Sequence, residues 1–545
     1  MSKRRLSKLF SLVLGASLLF TACAPSDGTT TTAGTSAAGT TTASGTSSPD
    51  TTPGDTSASG NYKSELNIAI TANLPGLDAH SSNSNLVGGL ISHTNEPLFA
   101  MNESFEPTPV LAKSYEVSED GLVYTIKLRE GIKFHNDEEM VADDVVASMT
   151  RWLELSGKAN ALLKGSVFAK VDDYTITMTL PEAYADTLNI LAGSAQFAAI
   201  YPRSVIDSAG AEGITEVMGT GPYQFVEWKQ DQYVHITRFD GYQPLEGEAS
   251  GFVGKKEAAT KDIYFRVVTD EATRVAGLQT GEYDIAEAIP TERYQELSAD
   301  PAMVLLAKST GNLNLFLNTT KGIMADQNMR KAILAALNTE DIMLASFGDP
   351  SLYMLNAGWA NPNDAQWATE AGSEFYNQND LDKARAYLAD AGYNNEEIVL
   401  VTTPDYGEMY NATIVVQAQL VAAGINAKVE SFDFPTFMEH RANPDQFDLF
   451  ITSNRYNLLP VQLSVLVKDW AGLDDPKIPE SIAAIRSATT PEEAAAKWAE
   501  LQTFLYDYAA ASVLGHYSSV MATSPETEGL IFFDYPLYWN VRVAE

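Results

Sequence analysis

The chain contains one cysteine, Cys23, so no disulfide framework can hold it and no multi-cysteine metal site is available. Six histidines in 545 residues leave little material for a protein-only zinc site. Positive charge is also short, with 36 Lys and Arg against 71 Asp and Glu, a formal net charge of −35. A surface that acidic repels phosphate backbones, which argues against nucleic acid as a partner. There is no H-E-x-x-H, no P-loop and no C-x-x-C. Gly219-Thr220-Gly221 is followed by Pro222 and not by the opening of a helix, so it is not a dinucleotide loop. No acidic cluster stands out as a catalytic carboxylate pair. No internal repeat is present. What remains is 45% hydrophobic and 10% aromatic, the composition of a globular body with ample chain for large cores. At roughly 150 residues per domain, the length suggests three to four domains.

The N-terminus reads as a targeting segment. Lys3, Arg4, Arg5 and Lys8 form a basic region ahead of an apolar run at 9–22. That run is short for a bilayer span and fits a signal sequence. It ends Leu19-Phe20-Thr21-Ala22-Cys23, which resembles the bacterial lipobox, with Phe20 where leucine is usual. In that reading Cys23 is acylated and becomes the mature N-terminus; the alternative is an ordinary cleaved signal peptide. Removal of 1–22 moves the charge from −35 to −39, because four basic residues leave and no carboxylate does. Residues 24–60 are mostly Thr, Ser, Gly and Ala, with no large aliphatic or aromatic residue. Such a segment cannot bury enough apolar surface to offset its ordering entropy and reads as a disordered tether. A tether behind a lipobox points to a Gram-positive type envelope.

From about residue 62 the pattern is mixed α/β. Tyr124, Ile126 and Leu128 alternate with Thr125 and Lys127, a half-buried strand. Asp143 or Asp144 opens a helix whose stripe is Val145, Met149, Trp152 and Leu153. Asp270 caps a helix that Gly281 closes, and Asp326 caps another with Met329, Ile333, Ala336 and Leu337 inward. Asp382 is expected to cap a helix ending at Gly392. A strand at 398–401, a helix at 409–423 ending at Gly424, and a strand at 425–431 form a βαβ unit, which implies parallel pairing.

Larger blocks carry a family resemblance. Gly121-Leu122-Val123-Tyr124-Thr125-Ile126-Lys127-Leu128-Arg129-Glu130-Gly131-Ile132-Lys133-Phe134-His135, followed by Ala142-Asp143-Asp144-Val145, resembles the signature of extracytoplasmic solute-binding proteins, family 5. This is the oligopeptide, dipeptide and nickel-chelate binding family of ABC importers. Further blocks agree in order: Gly219-Thr220-Gly221-Pro222-Tyr223, Gly281-Glu282-Tyr283-Asp284-Ile285, Arg330-Lys331-Ala332, Asp382-Lys383-Ala384 and Gly424-Ile425. The block residues themselves read as scaffold. The resemblance implies a two-lobed periplasmic-binding-protein-like α/β fold of the class II, cluster C type, with three subdomains and a hinge. It implies a signal at 1–22 and a lipidated Cys with linker at 23–61. Lobe I would be 62–95, 218–309 and 513–545, with an inserted subdomain at 96–217, and lobe II would be 310–512. Crossings near 309–313 and 510–515 would form the hinge.

The implied function is a substrate-binding lipoprotein, not an enzyme, that captures a peptide or peptide-like solute and delivers it to ABC permease subunits. No cofactor or metal is implied; the implied state is a monomer held on the extracytoplasmic face of the membrane through Cys23. Peptide-binding relatives carry an aspartate about nine residues after a Tyr-Asp or Phe-Asp pair, where it meets the peptide ammonium. Here the pair is Phe447-Asp448 and the position falls near Asn457, with no carboxylate between Asp448 and Asp469. The segment offers Arg455 instead, a planar donor suited to carboxylate or phosphate. An anionic or N-blocked ligand fits better than a free amine. The ligand-binding set expected from the resemblance is Arg455, Tyr456, Asn457, Trp359, Trp367, Asn83, Asn85, His93 and Asn95. Two alternatives stay open. One is the same receptor role for an anionic, sugar or metal-chelate ligand; the other is a secreted lipid-anchored hydrolase or adhesin.

Overall fold

A computed structural model describes residues 61–210 and 213–545. Cys23, the signal segment and the linker expectation at 24–60 lie outside the described residues. The body is organised around an eleven-stranded sheet. One end holds Ala427–Ser431, Ile398–Thr402 and Leu449–Arg455; the other holds Glu65–Ile70, Asp262–Val267, Tyr233–Arg238 and Tyr223–Lys229. Two long strands, Val304–Leu317 and Ala511–Thr523, lie antiparallel between these ends and join them. The segments expected to be crossings, 309–313 and 510–515, fall on this strand pair.

The strand Val304–Leu317 changes character along its length. Its first half pairs on one side only and is partly exposed; from Gly311 it is flanked by Leu449–Arg455 and Ala511–Thr523. There Leu313, Leu315, Phe316 and Leu317 are fully buried, as expected for a strand covered on both faces. Between Ser309 and Gly311 the register shifts, leaving Thr310 as an extra residue opposite Ser518 and Tyr517. Such a bulge bends the strand and re-aims a side chain.

The expected βαβ unit is present. Ile398–Thr402 and Ala427–Ser431 pair in parallel, joined by the helix Gly407–Ala423, which ends at Gly424 with φ of 99°. Its second strand starts two residues later than expected, and Val429 is only half-buried. The strand Val123–Leu128 buries Tyr124, Ile126 and Leu128 as the alternation requires. It belongs to a separate four-stranded antiparallel sheet, on which the helix Ala142–Leu155 packs. That helix starts at Ala142, and Asp144 acts from inside the first turn, accepting the Val141 amide at 2.9 Å. Asp270 and Asp326 cap their helices as expected. The cap at 382 is corrected to Asp380, whose carboxylate accepts the Lys383 amide at 2.9 Å. Asp382 sits in the first turn and pairs with Arg385 at 3.2 Å. Two aspartates of equal cap propensity lie two residues apart, and the chain entering through Asn379 selects the first.

Gly219 and Gly221 have a specific packing role. They lie against the C-terminal end of the helix Asn85–Thr94, where the Gly221 amide donates to Thr94 O at 2.9 Å. A Cβ on Gly219 would stand 2.3 Å from Thr94 O, and one on Gly221 2.7 Å from His93 O. Pro222 then leads into the strand Tyr223–Lys229.

Candidate functional site

Two adjoining cavities, of about 250 Å³ and 330 Å³, share Asn85, Thr310, Arg455 and Asp534 in their walls. Together they form one cleft beside the strand pair. Their sizes sit near the lower end of the usual range for small-ligand pockets, about 300–1,000 Å³. Each shared residue comes from a different element. Asn85 begins the helix Asn85–Thr94; Thr310 is the bulged residue; Arg455 ends the strand Leu449–Arg455; Asp534 lies between the short strands Ile531–Phe532 and Pro536–Leu537. The bulge therefore has a purpose: it turns Thr310 into the cleft, where its hydroxyl meets Ser519 Oγ at 2.8 Å.

Five of the nine expected ligand residues meet here. Asn83, Asn85, Arg455, Tyr456 and Asn457 all line the second cavity. Arg455 is exposed and has no ion-pair partner among the described residues. Tyr456 is fixed by two contacts, its hydroxyl lying 2.6 Å from Ser309 Oγ and 2.7 Å from His516 Nδ1. Asp448, the acidic member of the Phe-Asp pair, points elsewhere. It takes the Lys321 ammonium at 3.2 Å and the Val399 amide at 2.7 Å.

The other four expected residues lie in the interior. His93 is fully buried among Tyr223, Phe265, Tyr538 and Trp539. Its Nε2 accepts the Tyr538 amide at 2.8 Å, so the proton is on Nδ1, which donates to Gly89 O at 2.6 Å. Burial pushes its pKa down to about 4. Asn95 donates to Ile200 O and Met218 O and accepts from Thr94 Oγ1. Trp359 and Trp367 are packed through their backbones against Gln502, Asn312, Asp364 and Trp498. Both indoles are buried, with ring N–H groups lacking a partner among the described residues. These four positions are corrected from cleft to interior: each is polar or aromatic in sequence, yet its neighbours saturate or enclose it.

Several cleft residues carried no local sequence signal. Lys158, Ser194 and Asp534 line the second cavity, and Glu287 and Ala288 the first. Desolvation pushes the Lys158 ammonium down to about 8, with nearby Asp534 acting in the opposite direction. Burial raises the Glu287 carboxyl, opposed by the Tyr538 hydroxyl at 2.6 Å and by Arg274. Ala288 is held at φ of 51°, a left-handed conformation costing on the order of 1–3 kcal/mol. Arg274 holds it there, donating to Glu287 O and Ala288 O at 2.9 Å each. Burial raises Asp364 to about 6 against two backbone amides. The aromatic flanks of Asp534, Phe533 and Tyr535, were the one pattern that could have drawn attention to it.

Near the cleft, residues 182–189 touch 364–366 and 486. Gln366 Nε2 donates to Asp186 at 3.3 Å, Asn189 Nδ2 donates to Gln366 at 3.0 Å, and Arg486 lies 5.1 Å over the Tyr184 ring. Among the described residues no group of three or more His, Cys, Asp or Glu could hold a metal ion, and no helix is long and apolar enough to cross a membrane.

Comparison with known proteins agrees with this architecture. A family model described as bacterial extracellular solute-binding proteins, family 5, matches residues 106–464. The chain is 27% identical over 476 residues to a probable peptide ABC transporter periplasmic-binding protein, y4tO, of Sinorhizobium fredii, covering 82% of this chain and 88% of that one. It is 30% identical over 381 residues to the glutathione-binding protein GsiB of Escherichia coli, covering 68% and 70% respectively. Among solved structures, the ABC transporter substrate-binding protein CtaP of Listeria monocytogenes superposes with a TM-score of 0.77 at 19% identity, covering 89% of this chain and 100% of that one. NikA of Brucella suis, solved with Fe(III)-EDTA, superposes with a TM-score of 0.74 at 21% identity, covering 88% and 100%. The fold is the two-lobed periplasmic-binding-protein type, and the chain belongs to the bacterial extracellular solute-binding proteins of family 5.

Proposed function

We propose that this protein is the receptor of an ABC importer for a peptide or peptide-like solute, with a neutral or anionic ligand group seated against Arg455. One observation carries the reading: a continuous cleft has at its junction an arginine without an ion-pair partner among the described residues, in a chain whose net charge is −35. A guanidinium in such a place suits an oxygen-rich group. The names of the relatives, peptide and glutathione binders, agree with a peptide-like ligand. A second reading, an anionic metal chelate, is favoured by the same arginine and by the Fe(III)-EDTA complex of NikA.

In this reading the lobes close over the ligand about the strand pair, with the register shift at Ser309 and Gly311 as a point of give. Lobe I comprises 62–95, 218–309 and 513–545, with 96–217 inserted, and lobe II comprises 310–512. The protein is a monomer without catalytic activity. It is tethered by acylated Cys23 through 24–60 and presents the closed form to permease subunits on the extracytoplasmic face. A thermal-shift screen against peptides, sugars and metal chelates tests the receptor role, since a ligand that binds the native state raises apparent stability. Arg455→Ala should weaken the best hit by about 2–5 kcal/mol if the pair is desolvated. Unchanged affinity would overturn the role given to Arg455. Retention of a Cys23→Ala variant at the membrane would overturn the anchor.

A further inference from the structure

Lys158, Asp534 and Arg455 line one cavity. Lys158 and Asp534 have opposite charges and feel one another electrostatically, yet they form no ion pair. Each is held where it is. Asp534 receives a hydrogen bond from the Ser194 hydroxyl. The Lys158 ammonium sits over Gly193, where a Cβ would come within 2.7 Å of Nζ and 3.1 Å of the Leu458 side chain. Gly193 thus supplies the space the ammonium occupies. Opposite charges that share a cavity and are kept apart present separate poles to a third body.

The remaining carboxylates of the cleft are engaged. Glu287 accepts the Tyr538 hydroxyl, and Asp364 accepts two backbone amides. Asp534 has only the one neutral hydroxyl donor among its described contacts, which leaves acceptor capacity for a cation.

We propose that Asp534 and Lys158 together bind a free α-amino-acid group, the ammonium on Asp534 and the carboxylate on Lys158, while Arg455 takes a second acid farther along the ligand. This rests on the receptor reading and names its ligand class. In an ordinary peptide the free ammonium and carboxylate lie at opposite ends. In a side-chain-linked peptide, such as a γ-glutamyl compound, both sit on one carbon, matching poles of opposite sign within one cavity. The missing carboxylate near Asn457 then needs no compensation there, because the ammonium is received by the other wall of the cleft. Lys158 is half-buried and gains most from meeting its opposite, whereas Asp534 and Arg455 are exposed at the cavity wall.

The test is titration calorimetry on the mature chain with three probes: γ-glutamylglycine, its N-acetyl derivative and its α-carboxamide. The free probe should bind at least tenfold more tightly than either blocked form. Asp534→Asn should remove the discrimination against the N-acetyl probe, and Lys158→Met the discrimination against the carboxamide. Each variant should keep the other preference, a crossed pattern that mere loss of folding cannot produce. Ser194→Ala should weaken the free probe by a smaller factor, since it only positions Asp534. An unaltered N-acetyl preference in Asp534→Asn overturns the proposal. So does tight binding of unbranched α-peptides with none of the γ-linked probe, an outcome that leaves the receptor reading standing. If no peptide, sugar or chelate binds, both fall.

Discussion

The two ends of the helix Asn85–Thr94 carry similar polar residues and meet opposite surroundings. At its N-terminal end Asn85 lines both cavities, with Asn83 just ahead of the helix in the wall of the second, and Asn85 is half-buried. At its C-terminal end His93 and Asn95 are fully buried, and every hydrogen bond they offer is taken. The second end is also closed by charge: Glu96 and Lys256 form a buried pair at 3.2 Å, with Thr220 and Tyr242 donating to the same carboxylate. A polar side chain marks a binding site only where its capacity is left open. Where the fold satisfies it, the same side chain fixes the packing.

The comparison can be broken most severely at the closed end. Gly219→Ala should place a methyl group against Thr94 O and Asn95 Cγ, 2.3 and 2.4 Å away, both held by hydrogen bonds. Overpacking against backbone that cannot shift costs about 3 kcal/mol or more. Urea denaturation of Gly219→Ala should show that loss; a change under about 1 kcal/mol would mean that this end is looser than it looks.

His93→Leu comes next. It removes the acceptor of the Tyr538 amide, leaving that buried N–H unpaired, while Gly89 O keeps the Ser92 hydroxyl at 2.9 Å, for an expected loss of about 1–3 kcal/mol. The effect has a pH signature. A buried His93 with pKa near 4 binds fewer protons in the fold than in the unfolded chain, where the value is near 6.5. Its stability contribution is therefore present above pH 6.5 and lost as pH falls toward 4. The full difference for one such ring is on the order of 3 kcal/mol. His80, His135 and His516 are lowered to about 4 in the same way, so the wild type should weaken steeply across this window. His93→Leu should lose part of that slope. An equal slope would show that the ring stays protonated in the fold.

These two ends also show what a sequence discloses. Periodicity placed the strand Val123–Leu128 and the parallel βαβ unit, because their burial follows from local alternation. The cap went to Asp382 and not Asp380, since neighbouring aspartates of equal propensity differ only in the path of the incoming chain. Arg455 stood out as a departure from a family pattern, and it does line the cleft. Nothing local separates Asn85 from Asn95, because what satisfies Asn95 comes from Ile200 and Met218, far along the chain. Lys158, Ser194 and Asp534 are brought together only by the tertiary fold and left no joint trace in the sequence.

At the open end the expected effect is smaller and of another kind. Asn85→Ala removes a half-buried side chain that makes no side-chain hydrogen bond among the described residues. Stability should change by less than about 0.5 kcal/mol, while the affinity of a ligand identified by thermal shift should fall by about 1 kcal/mol. Calorimetry alongside denaturation separates the two. A large stability loss with unchanged affinity would remove the contrast between the ends.

Asp186 is an intermediate case, and its effect falls on closure and not on folding. It is buried where 182–189 meets 364–366, receiving Gln366 and Asn189 at 3.3 Å each on one oxygen, while its other oxygen has no partner among the described residues. Burial raises its pKa to about 6, and Asp364, itself raised to about 6, adds repulsion. If this contact forms on lobe closure, an exposed carboxylate with an ordinary pKa becomes a buried one with a raised pKa. Closure then takes up protons between about pH 4 and 6 and is favoured as pH falls through 6. Above pH 6 the buried charge opposes closure. Asp186→Asn keeps the acceptor for Gln366 and removes the charge, so it should favour the closed form at pH 7.5. It should also flatten the pH dependence of ligand affinity. Small-angle scattering with and without ligand at pH 5 and 7.5 measures both. A radius of gyration equally sensitive to pH in the variant and in the wild type would place the proton uptake elsewhere.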